Sequence, residues 1–338
     1  MNIIKFNMRK FLLFILLPYF STFASEVLLY QKKEIGPYAT FNPISYYFNT
    51  AFDTIQNPNY FSQENYFTNH EKVLERVLNI SKGIKDGGGI KNLLKNEIIG
   101  VRALPNYFLH LLGSGYDFRM LAEWFQVNNY SSPYAWAFVL AYVSHLGNEA
   151  LESSNEKDIN AHDHIADLLF FDLISKLIYM NDEYAHFITS TLSMTSWPYQ
   201  PFINQDGLIE NSGSNFILRP QINDYAVRPF IHLGMQLLVG ISFPFYQHTL
   251  SIATGPAFTD PLRDKSRLAM GIYLDQNNDL LGSLILNGTD RFRVRLNIYP
   301  GILKIREFTT GLMFANSSDD DWVAGFNFNY PLGISGRW

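Results

Sequence analysis

The chain contains no cysteine, which excludes disulfides, thiolate catalysis, thiolate metal ligation and attachment of a lipid to an N-terminal cysteine. Charge is also scarce: 17% of residues are Asp, Glu, Lys or Arg, against about 25% in an ordinary globular protein. The net charge is -5, so no broad basic surface is offered to nucleic acid, and that class is set aside. No H-E-x-x-H zinc-hydrolase motif occurs. The run Gly87, Gly88, Gly89 lacks the Gly-Lys-Ser/Thr ending of a phosphate cradle, and it reads as a break between helices.

What the chain does have is 338 residues, enough for two folded units, because single cores stop growing near about 250–300 residues. Lys5, Arg9 and Lys10 precede the apolar run 11–19, followed by Ser21, Thr22, Phe23 and Ala24. This order predicts an export signal over 1–24, with translation starting at Met1 or Met8. The apolar run falls short of the roughly 20 residues of a membrane-spanning helix. Residues 25–66, rich in aromatics and holding Pro37, Pro43 and Pro58, are expected to be mostly irregular, with one short strand at 26–30.

Residues 67–212 read as helical. Thr68 and Glu71 form a capping-box pattern, and Val73, Leu74, Val77, Leu78 and Ile84 recur at helical spacing, predicting a helix over 69–84. A second helix is expected over 98–112, begun or kinked by Pro105 and ended by Gly113 and Gly115. Ser132 and Pro133 head a third over 135–146. A fourth covers 160–180, and there Asp167, Asp172 and Lys176 interrupt the apolar surface, as suits a protein-covered rather than a lipid-embedded bundle.

Near residue 213 the period changes from 3.6 to 2. Over 230–243, Ile231, Leu233, Met235, Leu237, Val239, Ile241 and Phe243 share one face, and over 291–299, Phe292, Val294, Leu296 and Ile298 do the same. Turn signals, including Asn287-Gly288, separate segments near 214–219, 229–243, 247–255, 267–275, 280–287, 291–299, 303–316 and 322–332. The expected architecture is α+β: an N-terminal helical block followed by an antiparallel, eight-stranded C-terminal sheet over 213–338.

The alternation, the short hairpins and the terminal Trp338 make residues 213–338 similar to bacterial outer-membrane β-barrel proteins. Pro331 in the last segment departs from that pattern. The resemblance implies a small barrel in a Gram-negative outer membrane. Lipid, lipopolysaccharide or other envelope proteins would be its partners, and its role would be structural, binding or envelope-maintenance. Trp136, Trp197, Trp322 and Trp338 would then form interfacial belts. A periplasmic α+β scaffold, its sheet roofed by its own helices, is the alternative.

His145, Glu149 and Glu152 fall on one helical face, and His162, Asp163, His164 and Asp167 open the next helix. Imidazoles and carboxylates from two helices can hold a divalent metal or polarise a water, as an envelope lipid hydrolase would require. The plainer account is a solvated face followed by an acidic first turn at the positive end of a helix dipole. No other cofactor is expected. Arg291, Arg293 and Arg295 alternate along one strand as a lumen-facing, anion-attracting row, unless Asp275 and Glu307 pair with them. His232 with Ser242 or Ser251 matches hydrolase chemistry in residue type only.

Overall fold

The computed structural model describes residues 26–56, 63, 65–99, 106–153, 162–222, 226–260, 265–305, 308–328 and 330–338. The expected signal at 1–24, together with Pro58, Pro105, Asn160 and Glu307, lies outside them.

Helices come first. Residues 26–56 are more ordered than their composition suggests: α1 (Pro43–Ala51) follows a 3-10 turn at Pro37–Thr40. Asn42 caps α1 by accepting from the amides of Ile44 (2.8 Å) and Ser45 (3.1 Å), while the Ser45 hydroxyl accepts from the Asn42 amide (3.0 Å). The expected strand at 26–30 is absent. The amides of Leu29 and Tyr30 donate instead to one carboxylate oxygen of Glu123 (2.6 and 2.7 Å), leaving no donors for a ladder.

The predicted helix over 69–84 divides at Asn79 into α2 (Tyr66–Leu78) and α3 (Ile80–Asp86). Thr68 lies inside α2 rather than at its cap. A short α4 (Ile90–Leu93) runs into a π-helical turn at Leu94–Ile99. Gly113 and Gly115 do not end a helix: a π-helical stretch at Asn106–Gly113 continues into α5 (Ser114–Val127). These glycines serve packing, since a Cβ on Gly113 would stand 2.4 Å from the Phe216 ring and one on Gly115 2.2 Å from Tyr179.

Helix α6 (Pro133–Glu152) runs further than the expected 135–146, with Pro133 at its first turn. Then come α7 (Asp163–Ala166), a π-turn at Asp167–Phe171, α8 (Asp172–Tyr179) and α9 (Asp182–His186), which ends in a further π-turn at Phe187–Thr191. No described helix is long and apolar enough to cross a membrane.

The expected eight-stranded antiparallel barrel is corrected to a mixed sheet of 13 strands that is not closed into a barrel. The strands are β1 (Thr195–Ser196), β2 (Phe202–Ile203), β3 (Ile209–Glu210), β4 (Phe216–Leu218), β5 (Arg228–Leu233), β6 (Leu238–Phe245) and β7 (His248–Asp260). They continue with β8 (Lys265–Gln276), β9 (Asp279–Leu286), β10 (Phe292–Ile305), β11 (Phe308–Ser317), β12 (Trp322–Asn327) and β13 (Gly333–Arg337). The order is β1-β4-β5-β6-β7-β8-β9-β10-β11-β12-β13-β2-β3.

The single alternation read over 230–243 is in fact a hairpin. β5 and β6 pair antiparallel around residues 234–237, so Leu233 and Val239 belong to different strands. The count rises also because residues 195–203 and 209–218, too short and irregular to show a period, form a further hairpin. It contributes β1 to β4 through pairs at both ends and through Trp197 N–Asn215 O (2.6 Å) and Tyr199 N–Gly213 O (3.0 Å). Its β2 joins β13 in parallel, the one parallel pair among these strands. The end strands β1 and β3 are two residues each, too short to template another chain.

The two faces of β6–β13 differ in chemistry. One cross-strand row reads Ile241, Ile252, Ile272, Leu284, Leu296, Phe314, Ala324. The inner row beside it reads Ser242, Ser251, Tyr273, Ser283, Asn297, Met313, Gly325. The outer row is exposed or half-exposed, and the inner one is buried. Inner side chains from distant strands meet one another: Arg219, after β4, reaches Asp275 at the end of β8 (2.7 Å), and Asn211, after β3, reaches Asn297 on β10 (3.0 Å).

Helices cover the outer face at both ends of the strand order: Ala51, Ala150 and Leu151 pack with Ile209 of β3 and against Ile203 of β2. Phe216 and Leu233 are buried in the same core as Phe118, Leu121, Phe125 and Phe138, with Leu218 and Ile231 against it. The short strands β2 to β5 are thus roofed, while β6–β13 are not.

Candidate functional site

Of the seven His and carboxylate residues named from the sequence, the fold brings His145, Glu149, Asp163, His164 and Asp167 together and adds His110 and Asp172. His145 and Glu149 come from one face of α6, His164 from α7, and Asp167 opens the π-turn. That turn matters for Asp172. Five residues along an α-helix is about 140° off the starting face, whereas in a helix closed by i→i+5 bonds the fifth residue takes the place of the fourth. Asp172 is thereby returned toward the face of Asp167. His110 comes from the other π-helical stretch.

The contacts are close. His145 Nδ1 lies 2.8 Å from Asp172 Oδ2, His110 Nδ1 3.6 Å from Asp172 Oδ1, and His110 Nε2 3.5 Å from Asp167 Oδ2. Glu149 contacts His164 Nδ1 directly, and the other ring nitrogen of His164 faces Ser153 Oγ (2.9 Å) and Arg76 (3.2 Å). Lys176, one turn after Asp172, places Nζ 3.5 Å from Asp172 Oδ2. Glu149, His164, Asp167, Asp172 and Lys176 are all buried, while Asp163, Glu152 and His110 are half-buried.

Burial and mutual repulsion push these carboxyls upward. Glu149 is raised well above the ordinary range by burial, with Asp163 adding to it. Asp167 is raised likewise, first by burial and then by Asp163, Glu149, Glu152 and Glu97. Glu152 is raised by burial, Glu149 and its contact with Asp163. Asp172 goes the other way: burial opposes its charge, but His145 and Lys176 hold it well below the usual range. Burial lowers His145, and it lowers His164 to about 4, which keeps that imidazole neutral at physiological pH. Three sets of donors converge within 4.8 Å: His110–His145–Asp172, His110–Glu149–Asp167, and Glu149–Asp163–His164. Such groups can hold a metal ion.

His162 is buried but turned away from the cluster, its Nε2 facing Ile84 O at 3.1 Å. Gly87 makes room for it, since a Cβ there would stand 2.3 Å from that nitrogen. The triglycine break thus doubles as the seat of His162. His110 and Asp172 escaped the sequence reading. His110 is a lone polar residue between Phe108, Leu109, Leu111 and Leu112, and Asp172 with Lys176 reads in the sequence as a mark of a protein-covered surface. The available signal was that i, i+4 pair within an otherwise apolar helix.

The arginine row does not act as one surface. Arg295 is buried, stacks on Tyr199 (3.9 Å to the ring centroid) and donates to Gln56 (2.9 Å) and Asn211 (3.2 Å). Arg291 pairs with Glu210 (2.7 Å), while Arg293 is exposed and pairs with Asp320. Asp275, expected as a partner of the row, pairs with Arg219 instead. His232 faces Gln236 O (3.3 Å) and stacks on Tyr273, and Ser242 bonds Ser251 (2.7 Å), so no hydrogen bond joins the histidine to either serine. A polar gap between helices and sheet, lined by Thr40, Asn49, Asp117, Ser196 and Ser214 among others, is about 10 Å³, the room of one water, and shares no residue with the cluster.

No protein-family model matches the chain, and comparison with curated proteins and with solved structures gives no match either.

Proposed function

We propose that this is an outer-membrane protein of a Gram-negative envelope, with the outer face of β6–β13 against acyl chains and a structural, binding or envelope-maintenance role. The observation that carries this reading is the contrast between the faces: a bare apolar outer face over an inner face that holds serines, asparagines and ion pairs. Water favours the opposite arrangement, and large contiguous apolar patches on soluble proteins mark a partner or a membrane. The alternative scaffold needs helices over the whole sheet, and they reach β2 to β5 while leaving β6–β13 bare.

Two further features agree. Along β8 the outward set Leu268, Met270, Ile272 and Leu274 spans about 20 Å at 3.4 Å per residue, near the roughly 25 Å apolar band of such proteins. Aromatics stand at both ends of the hairpins: Trp322 and Trp338, bonded backbone to backbone (3.0 Å), at one, and exposed Phe245 and Tyr246 in the β6–β7 turn at the other. Trp197 is buried inside the sheet and Trp136 stands on α6, so neither joins a belt. The inner face is filled by side chains, which argues against conduction.

The test is fractionation with one variant. The protein is expected in the membrane fraction, resistant to extraction at high pH. Leu296→Arg, in the middle of the outer row, is expected to cost about 2–4 kcal/mol in lipid and deplete the membrane fraction; at a half-exposed aqueous position the cost is within about 0.5 kcal/mol. Recovery of the wild-type chain as a monomer without detergent would refute the membrane reading.

A further inference from the structure

We infer that the helical cluster is a divalent transition-metal site, held by His110, Glu149 and Asp167, with Asp163 and His164 on the far side of Glu149 as a second set of donors. This goes beyond the membrane reading and does not depend on it, because none of these residues lies in the sheet.

Three observations converge. The donors of each set already lie within 4.8 Å of one another without an ion between them. Asp167 is 3% exposed, yet its Oδ1 has no hydrogen-bond partner among the described residues. A buried carboxylate oxygen left bare costs as much as a lost hydrogen bond or more, so an atom held this way within a ring of donors marks a missing ligand. The charge count points the same way. Glu149, Glu152, Asp163 and Asp167 act on one another, and the lysine of the cluster is taken by Asp172.

That lysine also decides where the ion sits. At His110–His145–Asp172 the ammonium of Lys176 already stands 3.5 Å from the carboxylate, so a second cation there meets like charge. Among the described residues the His110–Glu149–Asp167 set has no such ammonium, whereas in the second set Arg76 stands 3.2 Å from the far nitrogen of His164. A carboxylate can bridge two ions, which allows one ion in each of the sets that share Glu149. Imidazole with carboxylate suits Zn²⁺, Mn²⁺ or Fe²⁺, whereas Ca²⁺ asks for six to eight oxygens.

The experiment uses the full chain, stripped with EDTA and then melted with and without Zn²⁺, Mn²⁺ or Ca²⁺, alongside elemental analysis of protein purified without chelator. One or two equivalents of transition metal are expected per chain, and Zn²⁺ or Mn²⁺ is expected to raise the Tm by about 5 °C or more at a hundredfold excess over Kd, with no response to Ca²⁺. The isosteric Asp167→Asn separates binding from folding. Removing a repelling charge, it should melt at or above the stripped wild type in EDTA while losing the Zn²⁺ response. No bound metal together with no Zn²⁺ or Mn²⁺ shift in the wild type overturns the inference, and so does an Asp167→Asn variant that keeps the full shift. A membrane-embedded protein with no metal response would end this inference alone; a metal response from a detergent-free soluble protein would end only the membrane reading.

Discussion

Charge is buried in two places in this molecule, under different rules. Inside the sheet, guanidinium groups meet acceptors: Arg219 holds both oxygens of Asp275, together with Asn278 and Ser251. Arg295 has Gln56, Asn211 and the Tyr199 ring, and Arg291 has Glu210. In the helical cluster, by contrast, carboxylates gather against each other, and oxygens of Asp167 and Asp172 have no hydrogen-bond partner among the described residues. The first network matches guanidinium groups to carboxylates and amides of the same interior and serves to fill it. The second is short of positive charge, which is the condition of a site that takes a cation from outside.

The largest expected effect breaks the first network. Arg219→Met leaves Asp275 buried without its cation, and removing one member of such a pair costs about 3–5 kcal/mol. Urea unfolding of the detergent-solubilised protein checks this, and pairing the change with Asp275→Leu is expected to restore most of the loss. Within the cluster, Asp172 belongs to the paired kind. Asp172→Asn strands Lys176 and should destabilise by about 3 kcal/mol, opposite in sign to Asp167→Asn in EDTA. If both substitutions destabilise the metal-free protein alike, the two networks do not differ.

A smaller effect concerns Asp117, which accepts from Ser196 Oγ (3.2 Å) and whose pKa is pushed up by burial to about 7. A carboxyl raised in the folded state favours folding below its unfolded pKa, near about 3.9, and that contribution disappears as pH rises to about 7. Asp117→Asn is expected to flatten this window and stabilise the chain at pH 8 by about 2 kcal/mol, read from melts between pH 4 and 8. Smallest is the cap of α1: Asn42→Ala should cost about 1 kcal/mol, and a null result would mean that the packing of Tyr46 and Ala51 alone holds the helix.

How far the sequence reaches can be seen residue by residue. The alternation from Ile241 to Ile298 is local, because a pleat repeats every two residues, and so the apolar face could be named in advance. The convergence of His145 and Glu149 was also legible, from the four-residue spacing of one helix. His162 was not separable from His164, since two neighbours on a helix start point in different directions and only Gly87 decides which faces away. Gly113 and Gly115 misled because a glycine that ends a helix and one that admits Tyr179 look the same in one dimension. The π-turns left no pattern either, yet they aim Asp172.

The sequence by itself therefore determined helices within 69–84, 135–146 and 160–180, though not those at Pro43–Ala51 and Ser114–Val127, as well as where the period turns to two and which face of each long strand is apolar. These follow from backbone geometry acting over a few residues. Only the tertiary structure decided that thirteen strands join in one sheet, that the 195–218 hairpin belongs to it, that helices leave β6–β13 bare, and that His110 from one helix meets Asp167 from another. Those outcomes depend on contacts between residues far apart in the chain, where the energy of burial, not local propensity, selects the partner.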